Sequence, residues 1–160
     1  ADDAFIVEET IKEIWKVQDT SEIRWRLDDG NSALMRGDKV KSLAIYDRII
    51  EDDETCFEAW NKKATCHYLQ GDMNKSMEAA EAAIRYNPRH FQALSGLGLV
   101  YHDISQYRKS AESFRKSLRL DPWSRVSSRL CVCLDTLKRL DVDEKEVKVT
   151  EVTKDPTNIK

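Results

Sequence analysis

The sequence predicts an all-α fold of helical hairpins stacked in series, on three observations. The chain resembles itself at a step of 34 residues, apolar residues recur at helical spacing within each step, and only 5 Gly and 3 Pro punctuate the 160 residues. Charged residues make up 34% of the chain, a balance that suits a solvated helical surface over an apolar interior. At this length one domain buries a sufficient core without disulfides or metals.

Three windows, 23–56, 57–90 and 91–124, align without a gap. Their eighth positions are Gly30, Ala64 and Gly98, small enough for two helices to approach closely. The fifteenth positions, Gly37, Gly71 and Ser105, fall at a turn where glycine supplies the positive φ that ends a helix. Serine occupies all three twentieth positions (Ser42, Ser76, Ser110), small again and facing the eighth position across the pair. Tyr46, Ala80 and Phe114 fill the twenty-fourth, and Ile50, Ile84 and Leu118 the twenty-eighth. Glu54, Pro88 and Pro122 close each window, proline stopping the second helix. The expected helices are 21–35 and 39–52, 56–69 and 73–86, then 90–103 and 107–120.

This pattern resembles the tetratricopeptide-repeat (TPR) family, whose repeat runs W-x2-L-G-x2-Y, then A-x3-F, then P. The third window matches best, through Leu97, Gly98, Tyr101, Phe114 and Pro122; the second supplies Trp60, Ala64 and Pro88. The first departs most, with Arg26 in the tryptophan slot and Glu54 for proline, and serine replaces alanine at every twentieth position, a small-for-small exchange. Armadillo and HEAT repeats are longer, at roughly 40–47 residues, and the unbroken register also disfavours pentatricopeptide RNA readers. The resemblance implies antiparallel hairpins stacked into a right-handed superhelix, a solenoid with a concave groove over residues 21–140. Glu13-Ile14-Trp15 and the run from Asn87-Pro88-Arg89-His90-Phe91 to Gly96-Leu97-Gly98 are similar to a bacterial TPR group. The leaner, serine- and lysine-richer composition fits an organellar descendant of it.

The flanks are expected to cover the array, because each repeat contacts only its neighbours. Residues 1–20 hold an amphipathic helix over 4–18, with Ala4, Val7, Ile11, Ile14 and Trp15 on one side, expected to pack on the first repeat. Residues 124–140 form a capping helix, Ser124 as its N-cap and Val126, Leu130, Cys133, Leu137 and Leu140 as its apolar stripe. Residues 141–160 are expected to be a flexible or extended tail.

Charge is unevenly distributed: residues 1–56 hold 8 Lys+Arg against 15 Asp+Glu, and residues 91–140 hold 9 against 4. The overall −3 is too small to indicate a nucleic-acid or membrane partner. No stretch approaches the roughly 18 apolar residues of a membrane span. Cys56, Cys66, Cys131 and Cys133 lack the spacing of a disulfide scaffold, so reduced thiols are expected in an intracellular compartment: mitochondrion or chloroplast, otherwise the cytoplasm.

The resemblance assigns the groove to the second, fifth, sixth, ninth, twelfth and thirteenth positions of each first helix. The candidate partner-binding residues are Leu27, Asn31 and Met35, then Asn61, Lys62, Tyr68 and Leu69, then Gln92, Leu99 and His102. A mixed groove of this kind suits a helix or an extended segment of another protein. Cochaperone members of the family clamp the terminal carboxylate of heat-shock chaperones with Lys and Asn, then Asn, then Lys and Arg. The corresponding residues here are Leu27, Asn31, Lys62, Gln92 and Gly96, of which only Asn31 matches.

No enzymatic chemistry is expected. Cys131-x-Cys133 has no second Cys/His pair at zinc spacing. His90 and His102 have no carboxylate partner evident in sequence, Cys66 and His67 fall at interior positions, and no phosphate loop or nucleophile motif occurs. No metal, cofactor or small-molecule substrate is expected. Arg108, Lys109, Arg115, Lys116 and Arg119 form a basic outer patch without interleaved aromatics, which disfavours RNA. The function expected is a protein-interaction scaffold or assembly factor; the alternative is a structural subunit of a larger complex, held by its convex face and tails.

Overall fold

A computed structural model of the chain describes residues 21–152, with side chains described over 21–140. The described residues form seven helices and no strand: α1 (21–35), α2 (Lys39–Asp52), α3 (Phe57–Gln70), α4 (Met73–Tyr86), α5 (Phe91–Asp103), α6 (Tyr107–Leu120) and α7 (Ser127–Val152). They fall into two compact units, one ending at Pro88 and the other starting at Arg89, with α1–α4 in the first and α5–α7 in the second. The amphipathic helix expected over 4–18 lies outside the described residues.

The turn inside each hairpin is built the same way three times. Gly37, Gly71 and Ser105 adopt φ of 82°, 81° and 61°. The N–H groups of Gly37, Gly71 and Ser105 reach back to Leu34, Tyr68 and His102, and those of Asp38, Asp72 and Gln106 to Ala33, His67 and Tyr101. This pair of bonds satisfies carbonyls that the helix end leaves over. Asp38 and Asp72 then cap the next helix, their carboxylates accepting from the N–H of Lys41 and Lys75 at 3.0 and 3.1 Å.

Helix exits also repeat. Asp53, Asn87 and Asp121 are extended, with φ near −140° in each (−145°, −135° and −133°). Proline follows Asn87 and Asp121 and disfavours helix there. Glu54 follows Asp53 instead, and the Asp53 carboxylate holds the turn by accepting from both N–H and hydroxyl of Thr55.

Each hairpin is closed by a buried serine. Ser42, Ser76 and Ser110 donate to the carbonyls of Gly30, Ala64 and Gly98 at 2.9, 2.9 and 2.7 Å. Beside each bond sits a size match. A Cβ on Gly30 would lie 2.6 Å from the Tyr46 ring, and one on Gly98 would lie 2.6 Å from the Phe114 ring. In the second repeat, Ala64 accompanies Ala80 and both are buried.

The core of the first unit is Tyr46, Ile49, Ala59 and Cys66, with Ile23, Leu27, Leu34, Leu43, Ile45, Ile50 and Cys56 packed around it. In the second unit Ala111, Phe114 and Cys133 form the core, with Leu99, Val126, Leu130, Leu134 and Leu137 against it. Arg26, in the tryptophan slot, bridges Glu22 on its own helix and Asp52 on α2.

The C-terminal helix differs from expectation at both ends. It begins at Ser127, with the Val126 carbonyl accepting from Leu130 N–H, because Ser124 is held in a turn whose N–H donates to Asp121. It continues to Val152, so residues 141–152 are helical where a flexible or extended tail is expected from the sequence. The segment offers good helix formers (Glu144, Lys145, Glu146, Lys148) and meets no proline before Pro156. Residues 153–160 lie outside the described residues. Val126, Leu130, Cys133 and Leu137 pack as the stripe predicts, whereas Leu140 is exposed.

Two measurements check this account of the fold. Ser105 is a non-glycine residue in left-handed backbone, so Ser105→Gly is expected to stabilise the chain by about 1 kcal/mol in urea denaturation. Burial pushes the thiols of Cys56 and Cys66 above their ordinary 9.0, and burial pushes the Tyr46 phenol above its ordinary 10.0. Each group holds its proton more tightly folded than unfolded. Their stabilisation is therefore whole below about pH 9 and is lost as pH rises from there through the raised values. Tyr46→Phe should flatten the decline above about pH 10; equal slopes in the two proteins would contradict it.

Candidate partner-binding surface

The ten residues assigned to the groove separate into those the fold uses and those it leaves at the surface. In the first unit, Leu27 is half-buried against the core, as is its helix neighbour Leu34. Asn31 accepts a hydrogen bond from the Tyr46 hydroxyl at 3.0 Å, which ties α1 to α2. Asn61 is buried, and its carbonyl accepts from Thr65 at 3.1 Å. These three residues support the hairpins.

Met35, Lys62, Tyr68 and Leu69 are placed differently. Met35 is 88% exposed and Leu69 49% exposed, although both are large and apolar. Lys62 is half-buried and Tyr68 half-buried, one turn and a half apart on α3. The Leu69 carbonyl accepts from Lys39 Nζ at 2.7 Å, which fastens the end of α3 to the start of α2 and fixes where the Leu69 side chain emerges.

In the second unit, Leu99 is packed against the core, while Gln92 is exposed and its carbonyl accepts from Ser95. His102 has the carboxylate partner that the sequence did not reveal: its Nδ1 lies 3.2 Å from Asp103 Oδ1, and its ring meets Tyr107 edge-on at 5.5 Å. His90 is a buried helix cap, its Nδ1 accepting from Ala93 N–H at 3.1 Å. Cys66 and His67 are buried, as is Cys133, while Cys131 is exposed. Among the described residues no cluster of three or more His, Cys, Asp or Glu is placed to hold a metal ion. No helix among them is long and apolar enough to cross a membrane. The basic residues of α6 are exposed, with Lys116 paired to Glu112 at 2.8 Å and Lys109 lying 5.4 Å over the Tyr101 ring.

The sequence could have revealed one further feature. Lys63 and His67 occupy slots that the third window fills with Leu97 and Tyr101, and they line a pocket with Asp47, Trp60 and Lys75.

Comparison with known proteins bears on the whole arrangement. A family model for the tetratricopeptide repeat matches residues 72–123. The chain is 32% identical over 83 residues to a probable UDP-N-acetylglucosamine–peptide N-acetylglucosaminyltransferase SPINDLY of Solanum lycopersicum, covering 52% of this chain and 9% of that protein. It is 24% identical over 126 residues to a TPR repeat-containing protein of Rhizobium etli, covering 79% of this chain and 62% of the relative. The chain thus spans a small part of the first relative and less than two thirds of the second.

Among solved structures, the first TPR domain of human RPAP3 superimposes with a TM-score of 0.70 at 14% identity, over 73% of this chain and 93% of that domain. The first TPR of Spaghetti (RPAP3), bound to an HSP90 peptide, gives 0.71 at 13% identity, over 74% and 97%. The Arabidopsis OM64 TPR domain gives 0.65 at 16%, over 73% and 94%. The match over residues 72–123 and the fold shared with solved TPR domains show that the chain carries a tetratricopeptide-repeat segment and has the all-α TPR fold.

Proposed function

We propose that this chain is a non-enzymatic scaffold that holds a helix or extended segment of a partner protein, with Met35, Lys62, Tyr68 and Leu69 as its principal contacts in the first unit. The observation that carries the reading is the exposure of Met35 and Leu69. Neither side chain packs in the unit's core, and both lie where the TPR resemblance places ligand contacts. Burying Met35 against a partner contributes roughly 1.5–3 kcal/mol, and burying the exposed half of Leu69 about half as much. Lys62, which makes no ion pair among the described residues, supplies register more than affinity.

The partner differs in kind from the terminal peptide of a heat-shock chaperone. The RPAP3 domain of similar fold binds an HSP90 peptide, but of the five positions that would clamp a carboxylate only Asn31 keeps the clamp residue here. Leu27 packs on the core, Asn31 is engaged by Tyr46, and Gln92 and Gly96 bring no cation. An apolar segment with a polar flank fits the surface better.

Affinity capture from the source organism with the full chain as bait, identified by mass spectrometry, tests the reading. Lys62→Glu, Tyr68→Ala and Leu69→Ala should each weaken capture of the same partner about fivefold or more, with helicity unchanged by circular dichroism. Undiminished capture by all three variants would contradict it.

A further inference from the structure

Within the first unit, α2, α3 and α4 enclose a pocket of 310 Å³ lined by Leu43, Asp47, Trp60, Lys63, His67, Lys75, Glu78 and Ala79. Its polarity is unexpected for its place in the repeat. Lys63 and His67 stand at the seventh and eleventh positions, filled in the third repeat by Leu97, which is buried, and Tyr101. Polar side chains in apolar slots cost stability, and such conflicts concentrate at functional sites.

The floor of the pocket is ordered. Lys63 Nζ lies 2.6 Å from Asp47 Oδ1, an atom closed to solvent, and 5.3 Å from the centre of the Trp60 ring. Trp60 is itself fixed by its indole N–H, which donates to the Glu54 carbonyl at 2.8 Å. His67 is only 8% exposed, and its Nδ1 is buried with no hydrogen-bond partner among the described residues. A buried polar atom in that state calls for a partner. At the rim, Lys75 pairs with Asp72 at 3.1 Å, and Glu78 is exposed.

Counting donors and acceptors selects the ligand. Each ammonium has three protons; Lys63 is ion-paired with Asp47 and Lys75 with Asp72. The Lys63 and Lys75 ammoniums keep N–H groups to spare, and a His67 ring carrying its proton on Nδ1 adds a further donor, so a group that only accepts matches this part of the lining. Asp47 and Glu78 count against a doubly charged phosphate, leaving a singly charged carboxylate as the better match. We propose that this pocket binds one carboxylate, presented by an Asp or Glu side chain of a partner polypeptide, with His67 and Lys63 donating to it and Lys75 closing the rim. The site is independent of the surface formed by Met35, Lys62 and Leu69, none of which lines it.

The test is an NMR titration of the isotopically labelled full chain, following the amides of Leu43 and Ala79 and the His67 ring. The probes are the peptide acetyl-Ala-Glu-Ala-amide, its Gln counterpart and inorganic phosphate. The Glu peptide should give saturable shifts at a concentration about tenfold below the Gln peptide and phosphate. Lys63→Leu with His67→Tyr, which restores the chemistry of the third repeat, should fold at least as stably and lose the response. Lys63→Met alone, which retains the His67 reporter, should weaken it about threefold or more. Equal responses to the Glu and Gln peptides would overturn the proposal, as would equal binding of phosphate, no saturable shift, or undiminished binding in either folded variant.

Discussion

One contact organises this protein: the hydroxyl at the twentieth position of each repeat donating to the carbonyl at the eighth. Ser42, Ser76 and Ser110 are buried and make the same bond, twelve residues back along the chain. A side chain short enough to reach that carbonyl holds the two helix backbones at close range. The space beside it must then be shared between the eighth and twenty-fourth positions. Glycine faces tyrosine or phenylalanine in the first and third repeats, and alanine accompanies alanine in the second. Interiors packed like crystals transmit such a constraint along the helix, so the rotation of each first helix is set before any ligand arrives.

That rotation determines what remains for binding. Leu27 and Leu99 turn toward their cores, Asn31 is drawn into a bond with Tyr46, and Met35 and Leu69 are left outside. In the second repeat the same geometry carries Lys63 and His67 into slots that a purely structural sequence would fill with apolar groups. The hairpin closure therefore leaves Met35 exposed on α1 and Leu69 on α3, and a pocket with charged side chains in its lining bounded by α2, α3 and α4.

Much of the fold is legible in the sequence, since Gly37, Gly71, Asp38 and Asp72 mark their turns by residue type alone. The six expected hairpin helices lie within a residue of those in the structure. The role of the serines was less legible: size and spacing suffice to place them, but a periodic pattern does not report the hydrogen bond each one makes. The same limit applies to the surface. Position in the repeat marks Asn31 and Asn61 for a groove, but it does not report that Asn31 accepts from the Tyr46 hydroxyl or that Asn61 is buried. The start of α7 was hidden because Ser124 has the chemistry of a helix cap yet is held in the Asp121 turn. The continuation of α7 beyond residue 140 was hidden by the alternation of Val147 and Val149, which resembles a strand where no sheet is at hand.

The most direct test of the closure is a double-mutant cycle at Gly98 and Phe114, read by urea denaturation. Gly98→Ala alone drives a methyl group against the Phe114 ring and should cost about 1–3 kcal/mol. In a Phe114→Ala background, where the same change recreates the Ala64–Ala80 pairing of the second repeat, it should cost less than about 0.5 kcal/mol or stabilise the protein. Equal costs in the two backgrounds would show that the two positions do not share one space, and the account of how these hairpins close would fail.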